Sequence, residues 1–286
     1  MKVKQKGNTG DHSTIVQVSG DLNTGLNYEE VCKVFLDLFE LNFPKIQEIA
    51  AKTAYKRVND YLESLFDLLK NNKDRIDSKK FIDPAVQFEM QSIIINVAKR
   101  GENSNKDLLN EVLINLVDKE CSDIIEMISG ETLKIIPFLN KKHLAYLSLV
   151  TLARDVQYPS NDLIKLNKSI EDVGPEIISA LDNERTDLFY LTSIGAIEKL
   201  ETYKLNFAPD YILNFPEFRG KRINKIIKIL LKRELKSLIA FIDIINKTDV
   251  GYFKNTTMGM LIGMLNIKHH LKIENVGDFF INKFLQ

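Results

Sequence analysis

Several residue types are scarce in this chain, and each shortage excludes a class of protein. Only two of the 286 residues are cysteine, Cys32 and Cys121, and tryptophan is missing altogether. Neither cysteine has a CxxC partner or the spacing of metal ligands, so the sequence predicts neither a disulfide framework nor a zinc site. We expect both thiols to behave as small buried hydrophobes in helical surroundings.

The chain also lacks an excess of charge of one sign, because 39 Lys and Arg residues balance 39 Asp and Glu residues. Such a molecule has no overall field that attracts nucleic acid or an anionic membrane, so either partner would require a local patch. No apolar run approaches the roughly eighteen residues of a membrane span, and the first residues lack the apolar core of a secretory signal. We therefore predict a cytoplasmic protein without a membrane span.

Recognisable catalytic motifs are missing as well. The four histidines, His12, His143, His269 and His270, form no HExxH motif, nucleophile elbow or Cys/His spacing. Residues 259–263 carry two glycines but lack the strand, Lys and Ser/Thr of a phosphate loop, and so predict close helix packing. The sequence predicts no metal, no cofactor and no catalytic residue, although an enzyme of unrecognised type stays an alternative.

The most distinctive stretch that is present is the opening, residues 1–26. Apolar and polar residues alternate over residues 13–19, and Gly and Asn residues precede them, which is typical of a β-hairpin. A lone hairpin is marginal in water and would need the rest of the chain or another copy to bury its valines. The composition is equally typical of a flexible polar tail. The residues predicted for self-association are Gly10, Asp11, Ser13, Thr14, Ile15, Val16, Gln17, Val18, Gly20 and Asp21.

The rest of the chain predicts a mainly α fold, a multi-helix, bundle-like body with at most minor β structure in its C-terminal half. Apolar residues recur at helical spacing throughout, and 44% hydrophobic content over this length is enough for a sizeable core. Residues 158–161, Tyr-Pro-Ser-Asn, are the best internal boundary. We predict three parts: the tag (1–26), an N-terminal helical domain (27–158) and a C-terminal helical lobe (159–286).

Residues that begin or end helices mark several boundaries. Asn27 with Glu30 predicts a capping box, and Pro44 predicts a restart or kink in the helix that follows. Later helices are expected to begin at Asp83-Pro84, to end at Gly101, and to begin again after residues 104–107 and after Asn140. Beyond the boundary at 158 we expect shorter pieces, including 163–173 and 175–181.

Two segments 64 residues apart resemble each other: residues 188–195 and residues 252–259. In each, an aromatic stretch precedes a Thr and a Gly. We interpret both as a short extended stretch in which the Thr hydroxyl caps a helix and the Gly allows close packing.

One basic segment stands out from the neutral background, residues 219–236. Eight basic residues and one acid occur there, and the lysines recur at helical spacing opposite a row of Ile and Leu. The ordinary interpretation is a solvated face over a core helix, but the segment is also the candidate for an anionic partner or for head-to-tail self-association. The residues of this predicted patch are Arg219, Lys221, Arg222, Lys225, Lys228, Lys232 and Lys236.

The chain resembles a family of uncharacterised bacterial proteins. The resemblance rests on residues 28–43 and 144–154, on the segments around Thr192 and Thr256, and on the opening GDxSTxxQxxGD. Similar Gly-Asp/Ser-Thr/Gln tags precede varied bacterial conflict and anti-phage proteins, and residues 15–20 are similar to the short cores of amyloid-signalling motifs. The resemblance implies a role in bacterial defence or signalling, and no catalytic residue.

These observations predict a non-enzymatic interaction or oligomerisation protein that self-associates through its tag. The expected partner is another copy of the chain, and another protein is a further candidate. The alternative is a regulator that binds nucleic acid through residues 219–236.

Overall fold

A computed structural model describes residues 28–155, 162–181, 185–200 and 208–271 of the chain. This part is mainly α-helical with one two-stranded sheet, which confirms the predicted fold class. The predicted tag lies outside the described residues. The helices are α1 Tyr28–Asn71, α2 Pro84–Arg100, α3 Lys106–Leu116, α4 Asp123–Ile135, α5 Lys141–Val150, α6 Leu163–Ala180, α7 Arg185–Ser193, α8 Asp210–Leu213, α9 Ile223–Lys232, α10 Lys236–Lys247 and α11 Thr257–Leu271; the strands are β1 Ile197–Lys199 and β2 Phe253–Asn255.

The chain divides into two compact units, residues 1–52 and residues 53–286. In the first unit the structure describes the beginning of α1, where Lys52 forms an ion pair of 2.7 Å with Glu48 one turn earlier. Of the restart or kink expected at Pro44, the restart does not occur, because α1 is one helix through that residue; the kink stays a prediction. The predicted boundary at residue 158 falls in residues 156–161, outside the described part, and stays a prediction.

The second unit begins within α1 and contains every later element. Tyr61 and Leu65 of α1 are buried, whereas Phe66, expected on the same apolar stripe, is 68% exposed. The Arg57 guanidinium donates to the carbonyl oxygens of Ala98 and Lys99 at 3.0 and 2.9 Å. These bonds attach α1 to the end of α2, whose last carbonyls would otherwise lack partners.

Two of the predicted helix starts, those of α2 and α5, have the side-chain caps that were expected. Asp83 accepts a hydrogen bond from the backbone N–H of Ala85, and Pro84 is the first residue of α2. Asn140 begins α5 with a capping box in which His143 is the reciprocal partner. Asn105 precedes α3 as expected, but its amide donates to two carbonyls of the α4–α5 connection instead of capping α3. Polar residues before an apolar run therefore located these helices correctly.

The centre of the second unit is α5, where every residue from His143 to Val150 is buried. α11 packs along α5, α6 packs on α5 and α10, and α3 packs on α4. Gly263 allows the close approach of α11, because a Cβ there would lie 2.2 Å from Oγ1 of Thr151. The predicted role of residues 259–263 in close helix packing is thus confirmed.

The two shorter pieces expected at 163–173 and 175–181 are a single helix, α6, with Pro175 inside it. The apolar residues Leu166, Ile170 and Ile177 lie on one buried face across the proline. Packing of this face on neighbouring helices outweighs the hydrogen bond that Pro175 cannot donate.

The two similar segments adopt different structures. Thr256 follows strand β2 and caps α11, since its Oγ1 accepts from the N–H of Gly259 at 3.3 Å, as expected. Thr192 instead lies in the last turn of α7, where its hydroxyl donates to the carbonyl of Leu188. The predicted extended stretch at 188–193 is therefore wrong, and Gly195 with φ +74° ends the helix there.

The two segments meet at the small antiparallel sheet. Ile197 pairs with Asn255 and Lys199 with Phe253, so each strand contributes three residues. Thr256 also donates its hydroxyl to the carbonyl of Gly195 at 2.7 Å. The end of α7 is thereby joined to the start of α11.

Candidate functional site

The predicted basic patch lies on and just before α9. Arg219, Lys221 and Arg222 are exposed ahead of the helix, and Lys225, Lys228 and Lys232 are exposed along it. The opposite side of α9 is core, since Ile226 and Leu230 are fully buried. We call these six exposed cationic side chains the basic surface.

Lys236 does not belong to the same helix, contrary to the expectation of one helical face. α9 ends at Lys232, Glu234 adopts φ +57°, and Lys236 is the first residue of α10. The N–H of Leu235 donates to the carbonyl of Leu230, and that of Glu234 to Leu231, which is a complete Schellman motif. The sequence did not predict the end of this helix, because glutamate occupies the position where glycine is usual.

The basic surface includes an apolar side chain and keeps its charge available. Leu231 is 59% exposed between Lys228 and Lys232. Arg233 beyond the helix forms a two-bond ion pair with Glu217, at 2.8 and 2.5 Å. Within the described ranges Lys225, Lys228 and Lys232 have no such acidic partner. The surface can therefore bind an anionic and partly apolar partner without breaking an internal ion pair.

The residues predicted for self-association, from Gly10 to Asp21, lie outside the described part of the chain. Their pairing therefore stays a prediction.

Cys121 is only half-buried, which corrects the expectation of a fully buried residue, and burial raises the pKa of its thiol. A raised pKa keeps the thiol protonated and weakly nucleophilic.

The sequence did not reveal a row of polar side chains, buried except for the half-buried Asp155, on α5, the turn after it, β2 and α11; we call it the polar ladder. It consists of Ser148, Thr151, Asp155, Asn255 and Asn266. The Asn266 amide donates to Oγ of Ser148 at 2.8 Å, and the Asn255 amide donates to Oγ1 of Thr151 at 2.8 Å and to Oδ2 of Asp155 at 2.9 Å. The sequence feature that could have indicated this ladder is the spacing of its polar residues 148, 151 and 155, which lie three and four positions apart.

Asp155 ends the ladder in an unusual backbone segment, the π-helical turn Thr151–Asp155. Burial raises the pKa of Asp155 to about 6, although the hydrogen bond from Asn255 opposes the shift. Such turns are rare and often lie at functional sites. Here the amide nitrogens of Asn255 and Asn266 donate to side chains of the same ladder, and these bonds join α5 and the turn after it to β2 and α11. The amide oxygen of Asn255 has no hydrogen-bond partner among the described residues.

His143 is engaged through both ring nitrogens. Nδ1 accepts from the backbone N–H of Asn140 at 3.2 Å, and Nε2 lies 3.1 Å from Oδ1 of Asp187. The ring stacks on Tyr190 with 4.8 Å between centroids, and burial lowers its pKa. A neutral His143 that accepts at Nδ1 must donate from Nε2, so neither nitrogen is free to take a proton from a substrate. The residue fixes α5 to α7.

The part of the chain that the structure describes contains neither a metal-binding cluster nor a helix that could span a membrane. No group of three His, Cys, Asp or Glu side chains there is arranged to hold a metal ion. None of the described helices combines the length and the apolar character needed to cross a bilayer.

Comparison with known proteins gives one match. A protein-family model, whose description reads only “-like” and names no activity, matches residues 25–226. Neither a curated protein nor a solved structure is significantly similar to the chain. The matched range includes all of α1 to α8 and the first residues of α9, and it excludes residues 1–24 of the tag.

Proposed function

The chain belongs to the family whose model matches residues 25–226, and we propose that it is a non-enzymatic protein that self-associates through its N-terminal tag. Residues 13–19 would pair as a β-strand with the same segment of another copy. Val16 and Val18 would be buried between copies, and Gln17 would stack on its equivalents.

The observation that carries the proposal is a mismatch of strand lengths. The tag offers seven β-prone residues, and their backbone donors and acceptors need partners. The sheet of the described body has strands of three residues, Ile197–Lys199 and Phe253–Asn255, already paired with each other. A strand of that length can satisfy fewer than half of the tag residues, so a second tag is the better partner.

Replacement of Val16 by proline tests the proposal in the full-length chain. Proline removes one backbone donor and disfavours pairing in the middle of a strand. We expect light scattering to show a lower mass for Val16→Pro than for the parent, with an unchanged helical circular-dichroism signal.

A matched control is Thr24→Pro, which places the same change in the tag beyond both predicted strands and should retain most of the assembly. A parent chain that is monomeric at working concentration would refute the proposal. So would a Val16→Pro variant that assembles like the parent.

The second candidate function is binding of nucleic acid by the basic surface. It is favoured by the exposure of Lys225, Lys228 and Lys232 along one side of α9. Phosphate contacts of this kind release counterions, so binding should weaken steeply as salt rises. A gel shift that disappears in Lys225→Glu/Lys228→Glu/Lys232→Glu, with little change in melting temperature, would support this function; no shift at low salt would exclude it.

An enzyme of unrecognised type is the remaining alternative. It is favoured by the polar ladder, because Asn266 also lines a cleft of about 530 Å³ between α1, α3, α5 and α11. A role in bacterial defence follows only from the resemblance of the tag. Loss of protection against phage by Val16→Pro in living cells, with the protein still present, would test that role.

A further inference from the structure

A groove between α2 and α4 carries charge opposite to that of the basic surface. It encloses about 460 Å³ and is lined by apolar side chains and by acids. We call it the acidic groove. Its acidic residues are Glu89, Asp123, Glu126 and Glu131, and its exposed apolar residues are Phe88 and Met127. Lys134 also lines the groove and pairs with Glu131, and Glu126 pairs with Lys80, so Glu89 and Asp123 are the acids there without an ion-pair partner among the described residues.

Glu89 is the unusual residue of this groove. It is only 8% exposed, and its Oε2 has no hydrogen-bond partner among the described residues. The nearby Lys134 is paired with Glu131 at 2.7 Å, and its charge offsets only part of the effect of burial on Glu89. A buried carboxyl group without a partner costs free energy, and burial accordingly raises its pKa. A cationic group entering the groove would supply the missing partner.

The groove also exposes apolar surface around this carboxyl group. Phe88 is 61% exposed and Met127 is 69% exposed. Gly130 leaves the middle of the groove open, because a Cβ there would meet nothing within 4 Å. An occupant must therefore combine an apolar side chain with cations on either side of it.

We propose that the acidic groove binds the basic surface of a second copy of this chain, with Leu231 against Phe88 and Met127 and a lysine of α9 facing Glu89. The dimensions agree: Asp123 to Glu131 spans about 12 Å of α4, and Lys225 to Lys232 spans about 11 Å of α9, at 1.5 Å per residue. The chain as a whole is neutral, so the excess charge of residues 219–236 is balanced elsewhere on the same molecule.

Such a contact is heterologous, since different surfaces meet, and it extends into rings or filaments. The inference rests on the proposed self-association and adds a contact independent of the tag. All variants are therefore made in the full-length chain with Val16→Pro, which removes tag pairing. The groove variant is Met127→Lys and the helix variant is Lys228→Glu/Lys232→Glu; both change exposed side chains, so folding should be retained.

We expect the Val16→Pro chain to associate at low ionic strength and to dissociate at about 1 M salt, where the Debye length is about 3 Å. Each variant alone should be monomeric, and an equimolar mixture of the two should form dimers and nothing larger, because each copy retains one intact surface. Lys165→Glu/Lys168→Glu, which changes the same charge on an exposed face of α6, should associate like its parent.

Glu89→Gln gives a second readout that a structural role would not produce. It removes the charge at nearly constant shape, so we expect about tenfold weaker association together with a melting temperature that is equal or higher. Three results would overturn the proposal: a Val16→Pro chain that is monomeric at every salt concentration, a mixture that stays monomeric, or variants that bind a basic peptide yet not each other. If Val16→Pro has no effect but Met127→Lys lowers the mass, the tag proposal fails and this one survives.

Discussion

At the scale of single residues, the glycines of α11 matter because they allow the helix to pack closely on its neighbours. Gly259 faces the end of α7, where a Cβ would lie 1.9 Å from the carbonyl oxygen of Ala196. That oxygen is fixed, because it accepts from the backbone N–H of Thr256. An added methyl group can be accommodated only if α11 moves away from the sheet.

We therefore expect Gly259→Ala to lower the free energy of unfolding by about 1–3 kcal/mol or more. Gly130→Ala is the matched control, since it lies inside α4 with open space around the new methyl group. Alanine favours helix over glycine, so this control should raise stability by about 0.5–1 kcal/mol. Urea unfolding of both variants checks the difference in sign, and equal effects would contradict the packing argument.

Asp155 makes the stability of the folded protein depend on pH. Its folded pKa of about 6 exceeds the unfolded value of about 3.9. The folded state therefore binds the proton more tightly, and the contribution of Asp155 to stability falls as pH rises from about 4 to about 6. His143 has the opposite sign, because burial lowers its pKa and its contribution is lost as pH falls.

The Asp155→Asn variant isolates the contribution of Asp155 to this pH dependence. The variant should match the parent near pH 4 and exceed its free energy of unfolding by on the order of 2 kcal/mol above pH 7. The amide oxygen of asparagine can still accept from Asn255. Urea titrations across this pH range check the prediction, and parallel profiles for the two proteins would disprove it.

At the scale of elements, side-chain caps made helix starts predictable, whereas packing decided several helix ends. The helix starts at Asp83 and Asn140 could be predicted, because in each case a polar capping residue precedes an apolar run. Pro44 and Pro175 start no new helix, since each lies within one. The polar ladder could not be predicted, because its members come from distant segments that only the packing of α11 on α5 brings together.

The end of α9 shows why one helix was expected where two exist. α7 and α9 end in the same Schellman motif, with Gly195 at the left-handed position in one and Glu234 in the other. A side chain at positive φ is strained by roughly 1 kcal/mol. Leu235 is buried directly after the turn, and this burial holds the turn in place.

Glu234→Gly should consequently raise the free energy of unfolding by about 0.5–1 kcal/mol, because glycine adopts φ +57° without strain. Lys228→Gly, in the middle of the same helix and equally exposed, should lower it by about 1 kcal/mol. Thermal and urea unfolding measure both changes. Destabilisation by Glu234→Gly would show that its side chain contributes more than its backbone conformation costs.

At the scale of the whole molecule, we expect the body to form its core without the tag. The buried side chains of the described part form one hydrophobic cluster that extends from Tyr61 to Ile267. The family match begins at residue 25, and so leaves out all but the last two residues of the tag. Consistent caps and apolar faces within the body are what a sequence needs to specify its own fold.

We expect a chain that begins at Asn27 to fold and to unfold in one cooperative transition, with a melting temperature close to that of the full-length protein diluted to its monomeric state. Dilution matters, because association through any surface stabilises the folded state by mass action. The truncated chain should lose assembly that depends on the tag and keep any salt-sensitive association between the basic surface and the acidic groove. Calorimetry and light scattering of the two chains at matched concentration separate these contributions. An insoluble product, or one that retains helix without a cooperative transition, would show that residues 1–26 belong to the folding unit, and the tag would then be a structural element instead of an assembly device.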